Sequence, residues 1–228
     1  MTHRLPITLA AILLLAASPI LHAQINRNVI FLDPAHGGPD TGAQLPNHVA
    51  EKDVTLAFNA KLRAALATAG FTAISPRDAD PIAIISPEQR AVLANRAHPL
   101  ACILLHVTAS GTGVHLFISP NAADPTQSDA LANLVGTNLL GTKLPVLLTH
   151  ASIAPLDSLA CPAIALEVAP LPNGDSTTQP TDVSYQQRIA KAVTAALQKL
   201  RSQLPPPPPH PAEPAPTPAA APTPGVTP

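Results

Sequence analysis

The apolar residues of this chain follow two different periods between positions 29 and 204. Five short and nearly continuous apolar runs have the length of buried strands: residues 29–33, 71–75, 101–106, 113–119 and 162–168. Four longer segments are predicted as helices: residues 51–69, 86–97, 128–140 and 181–204. Because these strands alternate with helices of crossover length, the pattern predicts a single α/β domain whose mostly parallel, twisted sheet is flanked by helices.

Residues 1–23 differ from the rest of the chain and predict a signal peptide. Arg4 precedes an apolar run at 7–17 that is too short to span a bilayer, and a small-residue cleavage site ends at Ala23. The mature protein is therefore expected to begin near Gln24, in the periplasm or outside the cell. An uncleaved anchor or a buried first helix is the alternative. No later segment is apolar enough to cross a membrane.

The other end of the chain is equally distinct. Residues 205–228 are mostly Pro, Ala and Thr and begin with five consecutive prolines. This composition favours extended polyproline II and cannot build a packed core, so we expect a disordered tail. A spacer or a docking segment is the alternative. Residues 24–204 then remain as one domain of ordinary size.

The composition argues against several classes of partner and site. With a net charge of −1 and 12% charged residues, the chain has no basic field for nucleic acid. It has no Trp and one Tyr, so an aromatic platform for bases or sugars is not expected. Cys102 and Cys161 are too few for a disulfide scaffold or a four-cysteine zinc site. Two buried thiols are the favoured interpretation, and a disulfide between them, which export would permit, is the alternative.

Four residues that could form one site lie at or near the ends of predicted elements. His36 follows the first strand, Glu51 opens the first helix, His106 ends the third strand, and Glu167 lies inside the last strand. In open α/β sheets, ligands bind outside the carboxyl ends of the strands, so these residues can converge there. Two imidazoles and a carboxylate suit Zn²⁺ with an open position, and a second carboxylate suits a proton carrier. The set predicts a zinc hydrolase.

Taken singly, each of these residues also has an ordinary interpretation. His36 resembles a loop residue, Glu51 an acidic first turn that compensates the helix dipole, and His106 a hydrogen-bonded core histidine. Glu167 is the hardest to explain otherwise, because a carboxylate in an apolar strand is costly unless it is paired, metal-bound or protonated.

Longer motifs surround these residues in a fixed order. They are Asp33-Pro34-Ala35-His36-Gly37-Gly38, Glu51-Lys52-Asp53, Arg77-Asp78-Ala79-Asp80, Glu88-Gln89-Arg90, Ala94-Asn95, His106 and Glu167. This ordered set, which extends from residue 29 to about 200, resembles the zinc-dependent N-acetylmuramoyl-L-alanine amidases of bacterial cell walls. The resemblance implies that His36, Glu51 and His106 bind one Zn²⁺ and that Glu167 is the catalytic carboxylate.

The same resemblance implies a substrate and a reaction. The enzyme would cleave the amide bond between N-acetylmuramic acid and L-alanine in peptidoglycan, and a protein activator stays an open question. Three departures from the family pattern border the site: Ala35 replaces a glycine, Val107-Thr108 follows the strand histidine, and residues 168–173 replace a Gly-Phe-x-x-Asn stretch. The segment between residues 119 and 162 has room for a specificity loop or a lid, and the sequence does not distinguish them. The alternatives are a zinc amidase or peptidase on another substrate, and a non-catalytic wall-binding or regulatory relative.

Overall fold

The computed structural model describes residues 25–172 and 179–206, so the predicted signal peptide and residues 207–228 of the predicted tail lie outside the described residues. The strands are β1 Asn26–Pro34, β2 Gln44–Leu45, β3 Val49–Ala50, β4 Thr72–Ile74, β5 Pro99–Val107, β6 Val114–Ile118, β7 Val146–His150 and β8 Ala163–Val168. The helices are α1 Glu51–Thr68, α2 Pro87–Ala97, α3 Pro125–Gly141 and α4 Val183–Gln203.

Six of these strands form one sheet in the order β4, β1, β5, β8, β6, β7. Neighbouring strands are parallel except β6 and β8, which run antiparallel. Only residues 108–113 join β5 to β6, and a parallel return would require a much longer crossover. The remaining strands, β2 and β3, form a small hairpin that leads directly into α1. The predicted α/β class with a mostly parallel sheet is confirmed.

Two features of the β structure were not predicted from the sequence. One is the hairpin, whose strands are two residues long. The other is β7, an edge strand whose side chains are exposed or half-buried. The segment between residues 119 and 162, which had room for a lid or a specificity loop, contains α3, β7 and a 3-10 turn at Leu156–Ser158. Most of that segment is therefore part of the fold.

The helix boundaries follow from local capping. At the start of α2 the Ser86 side chain accepts from the Gln89 amide, and the Gln89 side chain accepts from the Ser86 amide, which forms a capping box. Asp124 and Asp182 cap α3 and α4 in the same way, each accepting from an amide three residues later. Capping at these positions fixes where each helix leaves the sheet.

The two faces of the sheet are covered unequally. Helices α1, α3 and α4 pack on one face and bury the larger core, whereas α2 and the 3-10 turn pack on the other. On the α2 face, Cys102 of β5 and Cys161 before β8 form a disulfide, with Cα atoms 6.1 Å apart. The favoured interpretation of two free thiols is therefore wrong. Register places Cys102 beside Ala163 on the neighbouring strand, and the sequence alone could not supply this proximity.

Candidate metal centre

The loop after β1 presents His36 through a left-handed backbone. His36 has a φ of 63°, and Gly37 and Gly38 continue the turn with φ values of 132° and 60°. A histidine in this region is strained, so its neighbours must hold it there. Ala35 is not among the described residues with positive φ, so alanine in place of the family glycine requires no unusual backbone.

Two buried arginines hold this loop by its carbonyl groups. Arg77 follows β4 and donates from Nη2 to the Ala35 carbonyl at 2.9 Å. Arg90 lies on α2, donates from Nη2 to the His36 carbonyl at 2.9 Å, and forms a buried ion pair with Asp33. Both arginines belong to motifs that the sequence analysis singled out without giving them a role. Their guanidinium groups fix the direction of the His36 side chain by fixing the peptide groups on both sides of it.

Glu51 connects the two histidines. Its position at the first residue of α1 follows from the β2–β3 hairpin, which ends at Ala50. Oε2 lies 3.1 Å from His36 Nε2 and accepts from the Ala43 amide at 2.8 Å. Oε1 lies 3.0 Å from His106 Nδ1. Three of the four residues that were expected to converge thus meet at the carboxyl end of the sheet.

The electrostatics of this cluster favour an ionised glutamate. Burial alone would raise the pKa of Glu51, but hydrogen bonds with His106 and His36 outweigh it and hold the pKa well below its ordinary value. The hydrogen bond with Glu51 raises the pKa of His36 above its ordinary value; burial opposes this rise, and Asp40 adds to it. A cation that replaces the proton between these groups would meet a carboxylate already in its charged form.

Asp40 and Gly42 complete the site and were missed in the sequence. Asp40 Oδ2 lies 2.9 Å from His36 Nδ1, and its Oδ1 accepts from the Gly42 amide at 3.1 Å. A carboxylate on the second ring nitrogen is the usual orienting partner of a metal-binding histidine. Gly42 has a φ of +66°, and a Cβ there would lie 2.5 Å from His36 Cδ2 and 2.7 Å from Glu51 Oε2. An aspartate two residues before a glycine is typical of such a turn and could have been recognised.

The three candidate ligands fit a small tetrahedral cation. One ligand atom from each of His36, Glu51 and His106 lies within 4.8 Å of the other two. Ligand atoms about 2.1 Å from a tetrahedral ion such as Zn²⁺ are about 3.4 Å apart, and the Glu51 oxygens already lie 3.0–3.1 Å from the two ring nitrogens, so only small shifts are needed. The two imidazole rings meet edge-on with centroids 5.5 Å apart, which leaves their nitrogens turned towards the carboxylate. These three residues could therefore hold a metal ion.

Glu167 lies beside this cluster and is not one of its three convergent residues. In the parallel pairing of β5 and β8 it is the direct partner of His106, and it is half-buried. Partners in neighbouring strands face the same side of the sheet, so the Glu167 side chain is on the same side as His106. It lines a separate cavity of about 330 Å³ together with Ser110, Thr112 and His115. The two carboxylates therefore lie in different surroundings: Glu51 lies between the two histidines, and Glu167 lines the neighbouring cavity.

The sequence of this chain is similar to one family of known proteins. The profile of a family described as N-acetylmuramoyl-L-alanine amidase matches residues 30–199. The chain is 26% identical over 188 residues to the germination-specific N-acetylmuramoyl-L-alanine amidase of Bacillus subtilis, which covers 74% of this chain and 78% of that protein.

Solved structures agree on the fold. The N-acetylmuramyl-L-alanine amidase from Mycobacterium smegmatis superposes with a TM-score of 0.65 at 20% identity, over 77% of this chain and 97% of that one. The CwlD amidase from Clostridioides difficile, solved in complex with the GerS lipoprotein, superposes with a TM-score of 0.64 at 23% identity, over 77% and 98% of the two chains. At these identities the likeness concerns the fold, which is the α/β architecture described above.

Proposed function

Because this chain belongs to the N-acetylmuramoyl-L-alanine amidase family, we propose that it is an exported zinc hydrolase that cleaves the amide bond between N-acetylmuramic acid and L-alanine in peptidoglycan. The observation that carries the proposal is the convergence of His36, Glu51 and His106, with Glu167 on the adjacent strand. Two imidazoles, one ionised carboxylate and a separate carboxylate are the set that metal-assisted amide hydrolysis requires.

The metal-binding part of the proposal assigns one ion to three residues. His36, Glu51 and His106 would hold Zn²⁺, and Asp40 would orient the His36 ring through its Nδ1 atom. When bound, Zn²⁺ supplies a Lewis acid that makes water a nucleophile near neutral pH and polarises the scissile carbonyl. Arg77 and Arg90 hold the His36 loop before any ligand arrives, so little reorganisation is needed on binding.

The catalytic part assigns proton transfer to Glu167. Its carboxylate accepts a proton from the attacking water and then donates that proton to the nitrogen of the departing L-alanine. The nitrogen leaves as a neutral amine, and the muramoyl group leaves as a carboxylic acid. The position of Glu167 next to His106, on the same side of the sheet, supports this role because the attacked carbonyl must be close to both the metal and the proton carrier.

The boundaries of the mature enzyme are part of the proposal. We assign export to residues 1–23, catalysis to residues 24–204, and no catalytic role to the predicted disordered tail at 205–228. Within the described ranges, no helix is long and apolar enough to cross a membrane. N-terminal sequencing of exported protein should give a start near Gln24. Truncation after Leu204 should leave thermal stability and activity on soluble muropeptides almost unchanged, and a large loss of either would show that the tail belongs to the domain.

The deciding experiment is digestion of purified sacculi with mass analysis of the products. The expected products are free stem peptides with an L-alanine amino terminus and glycan strands with unsubstituted lactyl groups. A chelator should abolish their release, and added Zn²⁺ should restore it. Intact sacculi after incubation with the zinc-loaded protein would refute the proposed function.

One observation favours a second candidate, a zinc amidase or peptidase on another substrate. Residues 107–108 and 168–173 depart from the family pattern. Of these, residues 107–108 and 168–172 are described in the structure and follow β5 and β8 at the end of the sheet where the site lies. Release of amino acids from acetylated peptides, without cleavage of muropeptides, would support that candidate. A non-catalytic relative is less well supported, because all four central residues are present. The lipoprotein in the Clostridioides difficile complex belongs to that protein, and it motivates a test of whether activity here also needs a partner.

A further inference from the structure

A row of four side chains crosses the sheet from the metal centre to its edge. His106 of β5 is the register partner of Glu167 of β8, and Glu167 is the partner of His115 of β6. His115 is in turn the partner of Leu147 of the edge strand β7. Because register partners in adjacent strands face the same side of a sheet, all four side chains lie on one side. The row therefore connects the metal site to the open edge.

The side of β6 and β7 that carries this row is only partly covered. Helix α2 packs on β1 and β5 of the same face, and α3 packs on β6 and β7 from the opposite face. As a result His115 and Phe117 are half-buried, and 58% of Leu147 is exposed. Leu148, the next residue of β7, faces α3 instead, because its Cδ1 lies 3.5 Å from the place where a Cβ of Gly136 would be.

Loop 108–113 forms one wall above this row. It crosses the carboxyl end of β8, where the Thr108 amide donates to the Val168 carbonyl at 3.0 Å and the Ala169 amide donates to the Gly113 carbonyl at 2.8 Å. The loop brings Ser110 and Thr112 to the cavity of about 330 Å³ that Glu167, His115 and Leu147 also line. The cavity thus offers hydroxyl and imidazole groups to a peptide backbone and apolar groups to small side chains.

The proposed reaction fixes which part of the substrate enters this cavity. The scissile carbonyl must lie at the metal site, and the scissile nitrogen must lie within reach of Glu167, which gives it a proton. A line from the carbonyl to the nitrogen therefore runs from His106 towards β6. The peptide attached to that nitrogen continues in the same direction, whereas the muramoyl group remains on the metal side.

We propose that the leaving stem peptide lies across β8, β6 and β7, with Glu167, His115 and Leu147 beneath it. This inference rests on the proposed function. Strands are about 4.8 Å apart, so the row from His106 to Leu147 extends about 14 Å, which accommodates roughly four extended residues. The ring of His115 is held in one orientation beneath the proposed peptide, because its Nε2 lies 2.7 Å from Thr149 Oγ1 and its face packs on Phe117 at a centroid distance of 3.9 Å. His115 and Leu147 would then determine the preference for long stems.

The test compares two substrates that differ only in the leaving group. One is N-acetylmuramoyl-L-alanine, and the other is N-acetylmuramoyl-tripeptide or a longer muropeptide. For the wild-type zinc-loaded protein, kcat/KM should be higher for the longer substrate. In His115→Ala and Leu147→Ala this preference should fall about tenfold, the low end of what contacts in a substrate pocket contribute to discrimination. Leu148→Ala, on the opposite face of the same strand, is the matched control and should retain the preference.

A binding experiment gives a readout that does not depend on turnover. A free stem tripeptide added to the metal-free protein should shift the amide resonances of Thr112, His115 and Leu147, and should leave those of α4 unchanged. Leu147 is exposed, so its substitution tests the proposal even where His115→Ala fails to fold. An unchanged preference for long substrates in a folded, active Leu147→Ala variant would overturn the peptide path and leave the amidase function intact. A wild-type protein inactive on both substrates would instead refute the proposed function, and the peptide path with it.

Discussion

Gly42 offers the sharpest test of the metal centre, because its missing side chain is what lets two candidate ligands approach each other. An alanine Cβ at this position would lie 2.5 Å from His36 Cδ2 and 2.7 Å from Glu51 Oε2. Non-bonded carbon atoms normally approach to about 3.5 Å, so the imidazole would have to move by about 1 Å. Distances between a metal and its ligands vary by only about 0.2 Å between functional sites, so a shift of this size is far too large. We expect Gly42→Ala to weaken zinc binding by at least about tenfold.

A second cost of the substitution must be separated from this one. Gly42 has a φ of +66°, and an alanine held in the left-handed region costs about 1–2 kcal/mol in folding stability wherever it occurs. Gly70 provides the control, since its φ is +77° and an added Cβ would meet only Arg201 Nη1, at 3.9 Å. In chemical denaturation of the metal-free protein, both variants should therefore show the cost of the backbone strain, and Gly42→Ala should lose further stability through its clash with His36 and Glu51. Only Gly42→Ala should lose metal.

The assay is competition for Zn²⁺ with a chromophoric chelator, carried out well below the unfolding temperature of both variants. The ratio of the two dissociation constants measures the contact between residue 42 and the ligands without the backbone strain. If Gly42→Ala and Gly70→Ala bind Zn²⁺ with affinities within a factor of about two, the metal is not held where His36 and Glu51 meet, and the assignment of ligands is wrong.

Three further predictions concern Glu167, Arg90 and the pH dependence of zinc binding. Glu167→Gln should keep stoichiometric zinc and lose about 10²-fold or more in turnover; loss of zinc would make Glu167 a ligand. Arg90→Met leaves Asp33 buried and unpaired and should lower the free energy of unfolding by about 3–5 kcal/mol, whereas Arg63→Met, which breaks an exposed pair, should cost less than about 1 kcal/mol in the same denaturation assay. In the metal-free protein the hydrogen bond with Glu51 raises the pKa of His36 above its ordinary value of about 6.5, so protons should compete with zinc for the ring. The zinc affinity measured by calorimetry should therefore fall as the pH is lowered from about 8 to about 6. A constant affinity over this range would contradict the exchange of protons for zinc.

The parts of the fold that could be predicted are those in which consecutive apolar residues have only one favourable environment, the buried core. Continuous apolar runs such as residues 101–106 have few alternatives to a buried strand, and β5 is found there. The edge strand β7 was missed for the opposite reason. Leu147 and Leu148 lie on different faces of an edge strand and are both partly exposed, so no apolar periodicity marks their segment.

The same distinction applies to the candidate site. His36, Glu51 and His106 could be proposed from sequence because each lies at the end of an element, and the ends of parallel strands meet at one edge of a sheet. Asp40 acts through a distance of 2.9 Å to His36, and Gly42 acts by leaving free the space that a Cβ would occupy beside His36 and Glu51. Both effects depend on the turn that joins the two residues. The roles of Arg77 and Arg90 in holding the His36 loop were missed for a related reason: the groups that they hold there are backbone carbonyls, which are present at every position, although Arg90 also pairs with Asp33.

The proposed path of the stem peptide depends on the register between strands that are distant in the chain. This register cannot be read from the sequence. His115 faces Glu167 only because β8 is inserted between β5 and β6, although β6 follows β5 directly in sequence. A shift of one residue in the pairing of β6 with β8 would turn His115 to the core and bring Val114 or Leu116 into the cavity. The hydrophobic pattern of β6 prevents this shift, since Val114, Leu116 and Ile118 are buried on the α3 side. The buried face of β6 thereby determines which side chain lies next to Glu167, the proposed proton carrier. A different residue at position 115 would change the proposed contact with the leaving group and leave His36, Glu51 and His106 in place.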